Sequence, residues 1–193
     1  MPVTKRRLAE IVFLTIGIAL VTVLLHFGLR KFLHICYPNA FEDEVLACAK
    51  EYDLDPSLLM AVIYTESHFD AEAQSVVGAT GLMQLMEETF EWAQIRAGIP
   101  EEERLASDQL TDPKVNIRYG SYVLYLLKEE FPNEDTALAA YNAGIGNVRD
   151  WLQNSDYSDD GILLKAIPFT ETEEYVKRVR AAQTMYRQLY AYP

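Results

Sequence analysis

Between Glu10 and Arg30 the chain reads IVFLTIGIALVTVLLHFGL, 19 residues without an Asp, Glu, Lys or Arg. As a helix rising about 1.5 Å per residue this stretch covers ~28 Å, close to the hydrocarbon thickness of a bilayer. A core helix of a soluble domain seldom runs so long without a polar face, so the segment reads as a transmembrane span. Lys5, Arg6 and Arg7 precede it, and Arg30 and Lys31 follow it. A cleaved secretory signal starts in the same way. The sequence leaving the run, HFGLRKFLHIC, offers no small-residue cleavage site, which favours an uncleaved signal anchor. Positive charge at the N-terminus predicts a cytoplasmic start and a body outside the cytoplasm.

The remaining residues differ in character. The 193-residue chain carries a net charge of −12, yet the head up to Lys31 holds five basic residues and one acid, leaving −16 for the body. Such a balance argues against a nucleic-acid binder that works by phosphate neutralisation. Half the residues are apolar and Gly plus Pro total only 17, which excludes general disorder. Cys36 and Cys48 are the only cysteines, so no disulfide framework is established and their pairing stays open. No His or Cys spacing suggests a metal site, and no cofactor is implied.

The body reads as all-α. Asn39 is a candidate cap for a helix carrying Phe41, Val45, Leu46, Ala49 and Tyr52 at helical spacing. Asp55-Pro56 is a helix start, and SLLMAVIYTESHF after it is apolar nearly all round, which predicts a core helix. LMQLMEETFEWAQ is amphipathic, with Leu82, Leu85, Met86 and Thr89 on one side. The stretch 99–112 reads as surface loop, Asp112-Pro113 opens a long helix, 135–143 forms a shorter one ending at Gly144, and 170–190 closes the domain. The only strand candidate is 162–167.

Glu66 stands out on position alone. It follows Leu59, Val62 and Ile63 by seven, four and three residues, so it shares a face with core side chains near the C-terminal end of the apolar helix. Desolvation and the negative end of the helix dipole there both favour a protonated carboxyl, the property of a general acid. The position is equally compatible with a solvated carboxylate past the core turn, or with one paired to Arg or Lys.

The neighbouring residues carry a resemblance. ESHFDAEAQSVVGATGLMQLM, with Glu66-Ser67, Ser75, Gly78-Ala79, Gly81-Leu82-Met83-Gln84 and Met86, resembles the active-site signature of the soluble-lytic-transglycosylase family of peptidoglycan-cleaving enzymes. LTDPKVNIRYG, AYNAGIGNVRDW and IPFTETEEYV resemble three further blocks in the same order. Together they cover roughly residues 45–190. The resemblance implies a lysozyme-like helical fold and a domain plan of residues 1–31 as N-terminus and anchor, 32–44 as juxtamembrane link and 45–190 as catalytic domain. It implies Glu66 as the catalytic acid/base, with Ser75, Gly78, Gln84, Met86, Tyr141, Asn142 and Tyr175 as substrate-binding residues. Gly78, Gly81 and Gly144 are equally well explained as backbone requirements, Tyr175 as packing, and Asn116 as a brace for local backbone. Two positions depart from the family pattern: Glu87 stands where Pro is usual, and Glu173 where Arg is usual.

By the same resemblance Glu66 protonates the glycosidic oxygen between N-acetylmuramic acid and N-acetylglucosamine, then deprotonates the muramic C6 hydroxyl, which closes a 1,6-anhydro ring. Only one protein carboxylate is called for, whereas ordinary glycosidases use two. The implied substrate is the peptidoglycan glycan strand, and the implied location is a bacterial cell membrane, crossed once, with the catalytic domain on the extracytoplasmic side. A hydrolytic muramidase on the same fold and a non-catalytic wall-binding module are the alternatives. No protein partner is legible.

Overall fold

Asp55 accepts a 2.8 Å hydrogen bond from the Ser57 amide, and Pro56 occupies the first helical position, so helix formation begins where the sequence places it. In the computed structural model, which describes residues 5–192 with side chains from residue 13 onward, this helix spans Pro56–Ser67. The chain divides after Pro38 into two compact units.

The first unit is a single helix, α1, Lys5–Cys36. From Phe13 to Cys36 it is long and apolar enough to cross a membrane, and its large apolar side chains are exposed. Thr22 turns its hydroxyl back onto the Ile18 carbonyl at 2.9 Å, which satisfies a polar group inside the apolar run. The side chains of Lys5, Arg6, Arg7 and Glu10, on which the charge of the head depends, lie outside the described residues.

The second unit is built from α2 (Glu42–Tyr52), α3 (Pro56–Ser67), α4 (Glu87–Arg96), α5 (Pro113–Glu130), α6 (Glu134–Ala143), α7 (Ile145–Leu152) and α8 (Thr170–Leu189), with no strand among the described residues. Helix α3 is the core element. Its residues from Leu58 to Ile63 are fully buried, and it packs along α8 through a face that includes Tyr175, Val179 and Tyr186. Helices α2, α4 and α6 pack against α5, and α7 packs on α6. Asp112 caps α5 by accepting from the amides of Lys114 and Val115, and Asn133 caps α6 by accepting from the Thr136 amide at 2.9 Å. Asp55 also receives Arg187 of α8 in an ion pair, joining the first core helix to the last.

Several local expectations are corrected. Asn39 caps no helix: α2 starts after Phe41, which takes a left-handed conformation (φ 57°), and the Asn39 side chain accepts a 2.8 Å hydrogen bond from the Tyr192 hydroxyl. The helix expected from Leu82 starts only at Glu87. Gly81 (φ 80°) and Gln84 (φ 47°) hold residues 81–84 in a turn, and the Met83 amide is given to the Asn116 side chain instead of a helical carbonyl. Helix α7 follows Gly144, where the sequence reading had a helix end and no new start. Residues 162–167 form no strand but an irregular, bent segment, in which Asp160 accepts from the amides of Ile162 and Leu163 and so removes them from any ladder. Cys36 and Cys48 are free thiols, and burial raises the pKa of the Cys48 thiol.

Candidate active site

Glu66 lies in the last turn of α3, at the point where the chain leaves the core through His68 and Phe69, both with positive φ. Its carboxyl lines a cavity of about 270 Å³ together with Ser75, Gln84, Met86, Tyr141 and Asn142. Burial among apolar neighbours raises its pKa from the ordinary 4.5 to about 7, outweighing the opposing pull of the Tyr175 hydroxyl and the Arg178 charge. A carboxyl held there is partly protonated near neutral pH, which suits proton donation to a leaving oxygen.

One wall of the cavity is the loop between α3 and α4, and several polar side chains fix that loop. The Ser67 hydroxyl lies 2.8 Å from the Leu82 carbonyl, tying the loop to the helix that carries Glu66. Ser75 closes the tight turn over 75–79 by accepting from the Ala79 amide at 2.9 Å, with the reciprocal main-chain bond alongside. Gln84 donates its side-chain nitrogen to the carbonyls of Ala73 and Gly81, which leaves its side-chain oxygen as the atom able to meet a ligand. Asn116, fully buried in α5, donates to Thr80 and Leu110 and accepts from the Met83 amide at 2.7 Å. This is the brace for local backbone that the sequence reading offered for Asn116.

Tyr141 closes the arrangement from α6. Its hydroxyl donates to the Met83 carbonyl at 2.8 Å, and its ring lines the cavity. Burial first, and the nearby Glu66 charge second, push the Tyr141 hydroxyl well above its ordinary pKa, so it stays a donor. Asn142, next along α6, is fixed by accepting a 2.8 Å hydrogen bond from the buried Thr172 of α8.

Two of the residues singled out from the sequence do not line this cavity. Gly78 is at the exposed apex of the 75–79 turn with φ 91°, a conformation that favours glycine. Tyr175 is only 2% exposed and packs beneath Glu66, and its hydroxyl finds no partner at full hydrogen-bond geometry while remaining close enough to favour the carboxylate form of Glu66. Conversely, Val77, Leu85, Thr89, Val123 and Glu171 line the cavity without having been picked out. Glu171 is a second carboxylate, exposed in the first turn of α8, in the same ETEEYV block that supplies Tyr175. Asp70 and Glu72 lie apart from the cavity in an exposed turn where Asp70 accepts from the Glu72 amide.

The two departures from the family pattern lie outside the cavity wall. Glu87 is the first residue of α4, where an acid suits the helix dipole as a proline suits the backbone, and it accepts from the Ser107 hydroxyl. Glu173 pairs with Lys177 one turn along α8. Among the described residues no cluster of His, Cys, Asp and Glu is arranged to hold a metal ion.

Known proteins resemble this chain throughout the second unit. The family model of the transglycosylase SLT domain matches residues 44–163. The soluble lytic murein transglycosylases of Salmonella typhimurium and Escherichia coli K12 are 38% and 37% identical over 153 residues, 78% of this chain and 23% of theirs. A membrane-bound lytic murein transglycosylase F of Pasteurella multocida is 37% identical over 105 residues, 51% of this chain and 19% of its own. Among solved structures, an inactive mutant of lytic transglycosylase Slt from Pseudomonas aeruginosa superposes with a TM-score of 0.70 at 37% identity, covering 81% of this chain and 25% of that one. The 70 kDa soluble lytic transglycosylase of Escherichia coli gives 0.71 at 34% identity, covering 83% and 26%. The chain thus spans about a quarter of the length of these soluble relatives. Because the matched segment takes in more than half the chain, from α2 past α7, and holds Glu66 with most of its cavity wall, this chain belongs to the transglycosylase SLT domain family.

Proposed function

We propose that this chain is a membrane-anchored lytic transglycosylase of peptidoglycan, with Glu66 as its single general acid/base. The observation that carries the reading is the Glu66 carboxyl, held at a pKa of about 7 on the wall of a cavity where Ser75, Gln84, Tyr141 and Asn142 are fixed by hydrogen bonds. Protonated Glu66 gives its proton to the oxygen linking N-acetylmuramic acid to N-acetylglucosamine, and the bond from that oxygen to muramic C1 breaks, so that N-acetylglucosamine leaves with a free hydroxyl. The resulting carboxylate then removes the proton of the muramic C6 hydroxyl, whose oxygen bonds to C1 and closes the 1,6-anhydro ring. Glu66 ends the cycle protonated, and no water is consumed. Ser75, Gln84, Met86, Tyr141 and Asn142 surround the sugar, while Tyr175 supports the carboxyl from beneath.

Helix α1 serves as the anchor and crosses the membrane once, with the catalytic unit outside the cytoplasm. Two things support this reading: the apolar length of Phe13–Cys36 and the word membrane-bound in the names of several relatives. With a body charge of −16, attraction to an anionic wall is weak, so the anchor holds the enzyme near its substrate.

Mass analysis of the fragments released from purified peptidoglycan by the wild type and by Glu66→Gln tests the assignment. Anhydro ends from the wild type and none from the variant are expected. One observation favours a second reading, a hydrolytic muramidase: Glu171 lines the same cavity and is able to activate a water. Reducing ends alone in the product would establish that alternative.

A further inference from the structure

Threonine hydroxyls inside helices commonly turn back onto their own backbone. Thr22, Thr65 and Thr184 do so here, each giving its hydroxyl to the carbonyl four residues earlier. Thr172 does not. It stands in the first turn of α8, where no helical carbonyl lies behind it, and its hydroxyl crosses to α6 and donates to the Asn142 side-chain oxygen at 2.8 Å. Thr172 is 2% exposed, whereas Asn142 is exposed on the wall of the Glu66 cavity. Packing holds an exposed amide only weakly, so this bond selects its orientation. The direction of the bond matters as much as its presence. A buried hydroxyl has to give its proton to an acceptor, and among the described residues the Asn142 oxygen is the acceptor it has. Reversal of the amide would bring its N–H groups to the hydroxyl and strand that proton. The oxygen is therefore taken. The nitrogen, which has no hydrogen-bond partner among the described residues, is the end left for a ligand. Gln84, on the loop side of the same cavity, is the reverse case: its amide nitrogen is given to two backbone carbonyls and its oxygen is left.

We propose that Thr172 is a positioning residue for the cleavage carried out by Glu66: it locks the Asn142 amide so that Asn142 is a hydrogen-bond donor to a carbonyl or hydroxyl oxygen of the bound strand. This rests on Glu66 acting on a glycan strand, as proposed, and adds a residue that itself touches no substrate. Without the Thr172 hydroxyl the amide turns more freely and part of the time presents its oxygen to an oxygen of the strand, which gains nothing from it. Thr172 also lies in the ETEEYV block between Glu171, on the cavity wall, and Tyr175, beneath Glu66. A structural effect of changing Thr172 would reach those two residues, and an effect through Asn142 would not.

The test measures initial rates of fragment release by the full chain in detergent, acting on soluble, uncross-linked glycan strands. Wild type is compared with Thr172→Val, Thr172→Ser, Asn142→Ala and the double variant of Thr172→Val with Asn142→Ala. Thr172→Val keeps the shape and removes the hydroxyl. Its KM is expected to rise about tenfold, as for one lost fixed hydrogen bond, while kcat and its pH dependence stay near wild type. Thr172→Ser, which keeps the hydroxyl, should regain most of the loss. The double variant should be no weaker than Asn142→Ala alone, because Thr172 acts through Asn142. A merely structural threonine would add its loss to that of Asn142→Ala, or would shift kcat and its pH profile through Glu171 and Tyr175; either result overturns the inference. So would a wild-type KM in folded Thr172→Val. If Thr172→Val fails to fold by circular dichroism, Thr172→Ala replaces it in the cycle, and failure of both makes Thr172 a packing residue and overturns the inference as well. Absence of product from the wild type would instead remove the reading of Glu66, and this inference with it.

Discussion

The side-chain amide of Asn116 fills the space that a side chain on Gly81 would need. A Cβ placed at Gly81 would collide with the Asn116 amide nitrogen and with the Leu110 carbonyl, and the glycine φ of 80° disfavours any L side chain there. The two residues are 35 positions apart in sequence, yet together they set the conformation of the loop that walls the Glu66 cavity.

Gly81→Ala is therefore expected to lower domain stability by about 3 kcal/mol, through both strain and displacement of Asn116. Asn116→Ala takes this partner from the Met83 amide and the Leu110 carbonyl, while the Thr80 carbonyl keeps the Leu85 amide, and costs a similar ~2–4 kcal/mol. Urea denaturation followed by circular dichroism measures both. The double variant should cost clearly less than the sum of the two, since each change damages the same contact.

Glu66 has a folded-state pKa near 7 against an ordinary value of 4.5, so the folded state binds more protons than the unfolded one between those values. Its contribution to stability is complete below about pH 4.5 and is lost as pH rises through 7. Glu66→Gln should thus make the domain more stable than wild type by up to ~3 kcal/mol at pH 8, with little difference at pH 4. Thermal melts of both proteins across that range would reveal an error of sign or size.

Activity should follow the same ionisation in the opposite role. With protonated Glu66 as the donor, kcat/KM is expected to be level below about pH 7 and to fall about tenfold per unit above it. A fall on the acid side only, in release of soluble fragments from purified glycan, would show that the carboxylate is the form required first.

Tyr141→Phe removes the hydrogen bond to the Met83 carbonyl while keeping the ring on the cavity wall. A stability loss of about 1–2 kcal/mol is expected. The loop it releases carries Gln84 and Met86, so kcat on glycan should drop about tenfold or more. Denaturation and fragment release on the same preparation separate the two effects.

Asp55 gives the domain an acid-sensitive clasp. Burial alone would raise its pKa, but hydrogen bonds from Ser57 and the Arg187 guanidinium hold it below the ordinary 3.8. Its contribution is present above that ordinary value and is lost as pH falls through the lower folded value. Asp55→Ala, which removes both the α3 cap and the partner of Arg187, should cost about 1–3 kcal/mol at pH 7 and markedly less in strong acid. Denaturant titrations at the two pH values provide the comparison.

Much of this protein was legible in one dimension because the physics was local. Asp55-Pro56 and Asp112-Pro113 start helices through caps that act within three residues. The uncharged run after Glu10 lies wholly inside α1, and the 3.6-residue spacing of Leu59, Val62, Ile63 and Glu66 puts the carboxyl on the face of the core side chains. At two of the places where the reading failed, a distant residue had taken a local hydrogen-bonding group. Asn39 was claimed by Tyr192 and not by its own helix, and Met83 gave its amide to Asn116, which kept residues 82–86 out of α4. Periodicity registers neither kind of contact.

The sequence by itself determined that a helical, acidic body follows an apolar helix, and that the body carries the ordered blocks of its family around Glu66. Only the tertiary structure decided how those residues divide their work. It turned Ser75, Asn116 and Tyr141 onto the loop backbone, buried Tyr175 under the carboxyl, and brought Glu171 to the cavity. The physical reason is that a pKa and a cavity are properties of what surrounds a group. Burial of the Glu66 carboxyl is supplied by segments far apart in the chain, and its extent exists only once they have packed.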